Sequence, residues 1–352
     1  MKKVTILGAG VMGSAMTLPF VDRGLAVHLV GTHLDEHIIT SVKSKSFHPK
    51  LKVTLPTSVK AFSHHEFGAA LGADTNLILL GVSSAGVDWA VEQLLANLKQ
   101  PVPVLMITKG MRPGKNTLST LPEVVSTELH KKFGVDVPVA AIGGPCIAGE
   151  LAVRRQTGTV IVSKSAGFAE KLCGDLETPY YHPRASSDMI GVETCAAFKN
   201  FFAIGVGWAH GAMARIGQAE NGAQNNNAAA MIFDQAVREM MTLTTTLKGD
   251  AESVWGMPGV GDLYVTCQAG RNSRLGNSLG RGLTYREALA GPLKGETVEG
   301  ADLGISTAEA LRAMFDANIL PKQLMPLTAA LLNALTNDKP LDIGWHSFHR
   351  TS

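Results

Sequence analysis

Residues 3–16, KVTILGAGVMGSAM, constrain the fold more than any other stretch of the chain. A five-residue apolar strand runs directly into Gly8, Gly10 and Gly13 and then into a small-residue helix. Gly8 permits the tight turn, Gly10 lets a pyrophosphate approach the backbone, and Gly13 lets the helix pack closely on the strand. The helix start at Val11 and Met12 then faces the anion. The spacing predicts a dinucleotide-binding turn. A secretory signal also begins with basic residues ahead of an apolar run, as Lys2 and Lys3 do here, but the three glycines divide that run.

The same texture continues along the chain. Short apolar runs at 26–30, 76–82, 103–108, 137–142 and 159–163 read as strands, and 85–98 and 121–133 have helical spacing. Continuous apolar strands separated by helices predict a mainly parallel sheet covered on both faces. Near residue 185 the pattern changes to helices at 188–214, about 226–248, 304–316 and 323–336, with a Gly-rich, Arg-containing loop region at 256–283. The expected fold is α/β: an N-terminal Rossmann-type doubly wound parallel sheet (domain 1–187) followed by a mainly α-helical C-terminal domain (188–352). The polar patch at 217–227 reads as a loop before a helix.

Composition excludes several classes. A net charge of +2 leaves no polyanion-binding stripe, so nucleic acid is not an expected partner. Cys146, Cys173, Cys195 and Cys267 are widely spaced, which indicates neither a zinc site nor a disulfide framework and suits a reducing cytoplasm. Residues 188–214 imitate a membrane span, but Glu193, Lys199 and several glycines interrupt them, so they read as a core helix with no stable membrane insertion. The apolar stretch 324–335 suits either a core or a homodimer contact. The pairs His64/His65 and His346/His349 lack a third ligand nearby in sequence, so no metal site is expected, and His210 reads as a packing or supporting residue.

Two lysines point to chemistry. Lys109, in MITKGM, comes after a strand on the side where open α/β sheets bind ligands. Lys199 stands alone in CAAFKNFFAIGVGW, where a buried ammonium is costly unless something needs it. The cofactor is NAD or NADP: after the second strand, Gly31, Thr32 and His33 occupy the place of the usual ribose-binding acid, Asp35 and Glu36 come late, and no arginine is well placed.

These motifs join four others: GGPCIAGELA (143–152), VETCAAFKNFFAIGVG (192–207), PGVGDLYVTCQAGRNSRLG (258–276) and VEGADLG (298–304). In this order the series resembles the NAD(P)-dependent glycerol-3-phosphate dehydrogenase family over nearly the whole chain. The resemblance implies hydride transfer between sn-glycerol 3-phosphate and dihydroxyacetone phosphate. It implies active-site roles for Lys109 and Lys199, with Asn200 beside the latter. It carries the family's aspartate and threonine onto Asp262 and Thr266, its phosphate- and nicotinamide-side pair onto Arg271 and Asn272, and a cofactor-side glutamate onto Glu299. Lys199 would then be the carbonyl-stabilising acid, with Asp262 orienting it and a second cation, Lys109 or Arg271, easing its proton transfer.

The chain departs from the family pattern at Ser83 and Ser84, at Gly149, at Arg154 and Arg155, and in the helix at 226–240, where Gln235 and Ala236 stand for a common Arg-Gly. These changes keep three other readings in view: a dehydrogenase of a four-carbon polyol phosphate, a β-hydroxyacid dehydrogenase or ketopantoate reductase, and a non-catalytic dinucleotide-sensing regulator. Lys199 and Asn200 are adjacent rather than one helical turn apart, which argues against the hydroxyacid enzymes.

Overall fold

A computed structural model describes residues 1–217 and 219–348, so His349 and Gln218 lie outside the described residues. The chain divides into two compact units: Met1–Lys109 with Leu121–Met189, and Gly110–Thr120 with the chain from Ile190 onward. The excursion 110–120 thus belongs to the second unit, although it falls inside the stretch 1–187 that the sequence assigns to the first.

The strands are β1 (Lys3–Leu7), β2 (Ala26–Val30), β3 (Phe47–His48), β4 (Val53–Thr54), β5 (Lys60–Phe62), β6 (Leu77–Leu80), β7 (Val104–Met106), β8 (Met111–Gly114), β9 (Thr117–Thr120), β10 (Val139–Gly143), β11 (Thr157–Ser163) and β12 (Tyr181–Ser186). In the first unit eight of these form one sheet in the order β12-β11-β10-β7-β6-β1-β2-β5. The run from β5 to β10 is parallel and has the doubly wound order, reversing between β1 and β6. Only the pairing of β10 with β11 is antiparallel within this sheet. β1 and β6 are fully buried, which explains the unbroken apolar sequence of β6; in β1 the buried Lys3 and Thr5 are satisfied by Asp74 and by the Ala70 carbonyl.

The helices of this unit are α1 (Val11–Ala15), α2 (Thr17–Asp22), α3 (Glu36–Lys45), α4 (Phe67–Leu71), α5 (Val87–Asn97), α6 (Leu121–Phe133), α7 (Ala148–Leu151) and α8 (Phe168–Leu176). Helix α1 breaks at Met16 before continuing as α2. Pro19 has no N–H for the carbonyl of Ala15, which accounts for the interruption. The core is built from Val4, Ile6, Phe20, Leu29, Leu79, Leu105 and Tyr181, all nearly inaccessible.

The second unit comprises α9 (Met189–Ile216), α10 (Asn226–Thr246), α11 (Ala251–Trp255), α12 (Asp262–Gln268), α13 (Arg271–Gly280), α14 (Tyr285–Ala290), α15 (Glu299–Asp316) and α16 (Pro326–Asn337), with the β8–β9 hairpin packed on α15. Helix α9 is long and apolar enough to cross a membrane, yet 94% of its most apolar window is buried inside the protein, so it is the core helix. The region 256–283, expected as loop, is instead a π-helical turn (Met257–Gly261) that leads into α12 and α13. Two of its glycines, Gly276 and Gly280, are contact surfaces rather than breakers, whereas Gly270 (φ +115°) and Gly282 (φ +101°) hold turn conformations. A Cβ on Gly276 would sit 2.0 Å from the Ile204 carbonyl oxygen, and one on Gly280 would sit 2.2 Å from that of Trp208. From the α9 side, Gly207 and Gly211 press in the same way on the backbone at Ser273 and Asn277. Each glycine costs about 1 kcal/mol of helix propensity, and the close approach of α13 to α9 offsets it.

The stretch 324–335 is spent on this same core: Leu327, Leu331, Leu332, Ala334 and Leu335 are buried within the chain, which removes the motive for reading it as a dimer contact. Helix α16 is anchored by Glu239 of α10. This buried carboxylate accepts the N–H groups of Leu327 (2.6 Å) and Thr328 (2.7 Å), the Thr328 hydroxyl (2.6 Å) and the Gln235 amide (2.9 Å). Burial pushes the Glu239 carboxyl up to about 7 against the pull of those four donors. His210 is exposed and so is not the packing residue expected from its position on α9.

Candidate functional site

In the first unit the site is the turn after β1. Gly8 has φ +116°, and a Cβ there would lie 2.6 Å from the Gly81 backbone at the end of β6. Gly13 is equally constrained, its imaginary Cβ falling 2.1 Å from the Gly8 carbonyl oxygen. Gly10 is different: nothing lies within 4 Å of where its Cβ would be. Two glycines are therefore required by the protein's own packing, and the third opens its backbone to a visitor. No side chain caps α1, and Val11 is exposed and Met12 half-buried at its start. This turn stands where the strand order reverses, the position at which open α/β sheets receive a dinucleotide.

Residues 30–50 shape the flank of the turn. One carboxylate oxygen of Asp35 accepts the N–H of Ala9 (3.2 Å), the N–H of Thr32 (2.9 Å) and the Thr32 hydroxyl (2.8 Å). The acid that comes late in sequence is thus folded back onto the glycine turn. On the next peptide of the turn, the Nε2 of the fully buried His48 lies 3.0 Å from the Ala9 carbonyl oxygen. His48 is not legible in the sequence as a functional residue, because its partner is a backbone atom 39 residues away.

Lys109 lies three residues beyond β7 and is half-buried. Its neighbour Thr108 donates to the Val82 carbonyl at 2.8 Å, joining the ends of β7 and β6. His64 and His65 stack on each other with ring centroids 3.8 Å apart, and among the described residues no cluster of three His, Cys, Asp or Glu side chains has metal-binding geometry.

In the second unit the expected residues from α9, α12, α13 and α15 gather around Lys199. Its ammonium donates to Oδ1 of Asp262, with side-chain exposures of 9% and 2%. Asp262 opens α12, so its charge also complements that helix's N-terminal dipole. Thr266 donates its hydroxyl to the Asp262 carbonyl at 2.7 Å. The Cys267 thiol is pushed up to about 12 by burial, with the Lys199 charge pulling the other way, and so remains protonated.

Beside this pair runs a relay of hydrogen bonds. Arg271 donates to Glu299 (3.1 Å) and Asn200 donates to the other oxygen of Glu299 (3.3 Å). Asn272 donates to Asn200 (3.0 Å) and accepts the Gly300 N–H (2.9 Å). Gly300 is needed because a Cβ there would sit 2.3 Å from the Asn200 carbonyl oxygen. Arg271, expected as a cation acting on Lys199, is engaged with Glu299, and the charge found against Lys199 is the carboxylate of Asp262. Gln235 faces Glu239 rather than standing free where the family's arginine would be.

The arrangement offers a buried, counter-charged proton donor next to an amide pair and a half-exposed guanidinium. Comparison with known proteins agrees with this chemistry. Residues 3–169 match the model for the NAD-dependent glycerol-3-phosphate dehydrogenase N-terminus, and residues 188–344 match that for its C-terminus. The chain is 36% identical over 286 residues to an NADP(+)-dependent glycerol-3-phosphate dehydrogenase of Archaeoglobus fulgidus, covering 81% of this chain and 82% of that one. It is 29% identical over 341 residues to a glycerol-3-phosphate dehydrogenase [NAD(P)+] of Bacillus cereus, covering 96% and 92%. The crystal structure of glycerol-3-phosphate dehydrogenase from Coxiella burnetii superposes with a TM-score of 0.79 at 27% identity over 96% of both chains.

Proposed function

The chain belongs to the NAD-dependent glycerol-3-phosphate dehydrogenase family, and from that premise we propose that it interconverts sn-glycerol 3-phosphate and dihydroxyacetone phosphate with Lys199 as the acid. It is an NAD(P)-dependent oxidoreductase acting on the CH–OH group of a polyol phosphate. The observation that carries the residue assignment is the buried contact between Lys199 and Asp262.

When bound, the nicotinamide cofactor would supply the hydride for reduction of the ketone. Gly8, Gly10 and Gly13 suit the rest of that cofactor, since the turn leaves open space only at Gly10, where the backbone must be approached. Negative charge then builds on the ketone oxygen, and the Lys199 ammonium stabilises it and delivers a proton to that oxygen. Asp262 balances the Lys199 charge until the transfer and fixes the direction of its Nζ. Arg271 is the group suited to the substrate phosphate, because its planar fork matches phosphate oxygens and its side chain is 46% exposed. Glu299 and Asn200 hold that guanidinium in place. Holding the substrate by its non-reacting end turns the encounter into a positioned one. Lys109 takes its active-site role from the family resemblance alone, and Thr266 supports Asp262 through their hydrogen bond. The four widely spaced cysteines, none in a disulfide, are consistent with a reducing cytoplasm.

The test is oxidation of NADH and of NADPH by the purified protein with dihydroxyacetone phosphate, with a four-carbon ketose phosphate run in parallel. Fast turnover of the three-carbon substrate is expected. Turnover of the four-carbon phosphate alone would reassign the substrate, and nucleotide binding without turnover of any phosphorylated ketone would leave a sensor.

A further inference from the structure

We propose that His48 and Asp35 are positioning residues of the nucleotide site: between them they clamp the two peptides on either side of Ala9 inside the glycine turn, and His48 must be neutral for the turn to receive a pyrophosphate. The proposal deepens the reading of that turn as the cofactor site and rests on it.

The clamp acts on the two successive peptide units that meet at Ala9, Asp35 on the Gly8–Ala9 unit and His48 on the Ala9–Gly10 unit. Ala9 lies between Gly8 and Gly10, its N–H donating to Asp35 and its carbonyl accepting from His48. Both side chains are buried, at 8% and 0% residue exposure, and both reach the turn from the segment after β2. With its carbonyl held by His48 and by the Ser14 hydroxyl (3.1 Å), the Ala9–Gly10 peptide cannot swing its negative end toward an incoming diphosphate. That freedom would otherwise be large, since glycine flanks Ala9 on each side.

The protonation state of His48 is set by its two partners. A carbonyl oxygen only accepts, so Nε2 carries the hydrogen it donates to Ala9. The Leu51 N–H, 3.0 Å from Nδ1, only donates, so Nδ1 must present a lone pair. The ring is therefore the neutral Nε2–H tautomer. A second proton would set an N–H at Nδ1 against the Leu51 N–H, leaving two buried donors facing each other and pushing the ring off the Ala9 carbonyl.

The charged groups facing the ring are Asp35 from the β2–α3 connection and Lys50 from its own turn. Burial is the leading influence and holds the imidazole below its ordinary value; the hydrogen bond to Ala9, the ring's contact with its own backbone and the charge of Asp35 oppose it, and Lys50 adds to it. Since the bound state requires neutral His48, nucleotide affinity is full at neutral and alkaline pH and falls as pH drops through the range below ~6.5.

The test is direct titration of NADH and NADPH, read by nicotinamide fluorescence, on the wild-type protein, His48→Gln and His48→Leu between pH 5.5 and 8. Glutamine places an N–H at about the reach of Nε2 and has no proton to gain. Wild-type affinity is expected to weaken toward pH 5.5, by less than the roughly tenfold an unshifted imidazole would give, while His48→Gln binds near wild-type strength at pH 8 with a flat profile. His48→Leu is expected to bind about tenfold more weakly at every pH, with KM for the nucleotide raised and kcat held within about twofold. If the leucine variant does not fold, the comparison of wild type with His48→Gln decides alone. A His48→Gln profile that keeps the wild-type acid slope overturns the clamp. Binding of neither nucleotide by the wild-type protein overturns the reading of the turn on which the clamp rests.

Discussion

The ammonium of Lys199 and the carboxylate of Asp262 meet in a pocket that leaves 9% and 2% of their side chains accessible. At that depth each charge is tolerable only because of the other. The pair therefore behaves as one unit in stability as well as in chemistry.

Breaking the pair is predicted to cost more than deleting it. Lys199→Met and Asp262→Leu should each lower unfolding free energy by about 3–5 kcal/mol, since each strands a buried charge. The double variant should lose clearly less than the sum of the two. Lys199→Met should also abolish turnover while leaving NADH binding intact. Urea denaturation and nucleotide fluorescence measure the two outcomes, and strict additivity would rule out the coupling.

Helix α13 carries Arg271 and Asn272 at its first two positions, and its glycines set how close those residues come to Asn200. Gly276→Ala places a methyl 2.0 Å from the Ile204 carbonyl oxygen, a backbone atom that cannot yield. The helix must move outward. The expected cost is about 3 kcal/mol or more, above the usual ~1–3 kcal/mol of overpacking because the obstacle is backbone. Thermal denaturation should show the loss, together with a raised KM for the phosphorylated ketone. A variant with unchanged melting would mean that α13 is free to slide.

Much of this site is readable from local signals. The turn at Gly8, Gly10 and Gly13 is contiguous with the strand and helix that give it meaning, and Lys199 announces itself as a charge in an apolar helix. Asp262, Arg271, Asn272 and Glu299 come only through resemblance, because nothing local says that residues 63 to 100 positions beyond Lys199 or Asn200 will return to them. Gly276 and Gly280 look like loop formers in the sequence and are not. Their role is to let α13 lie against α9, and a one-dimensional pattern does not distinguish a glycine that bends the chain from one that admits a neighbour. β5 leaves no sequence signal because three residues, Lys60–Phe62, are too few to show a period.

Glu239 tests a different part of the second unit. Its carboxylate gathers four donors, two of them the N–H groups of Leu327 and Thr328 at the start of α16. Glu239→Gln turns an NH2 group toward at least one of these donors. The expected destabilisation is about 2–3 kcal/mol, with Thr328→Val smaller because it removes one donor and leaves the carboxylate served by the rest. Denaturation midpoints compare the two, and a Thr328 variant worse than the Glu239 variant would show that the carboxylate is not the anchor.

Arg271 and Glu299 give the sharpest separation between binding and stability. Both side chains are about half exposed, at 46% and 56%, so their ion pair contributes little to folding. Arg271→Ala should therefore melt within about 1 kcal/mol of wild type. If the guanidinium holds the substrate phosphate, the same variant should raise KM for dihydroxyacetone phosphate by about a hundredfold, the loss of a charge-assisted bidentate contact worth roughly 3 kcal/mol. Arg271→Lys should recover only part of that loss, because a point charge cannot reproduce the planar fork. Glu299→Gln keeps a carbonyl acceptor for only one of Arg271 and Asn200, turns an NH2 group toward the other and removes the charge, so it should loosen the guanidinium and raise KM several-fold less than Arg271→Ala does. Steady-state kinetics on the three variants decide the matter: equal KM values in Arg271→Ala and wild type would move the phosphate to another residue, and Lys109 would be the next to replace.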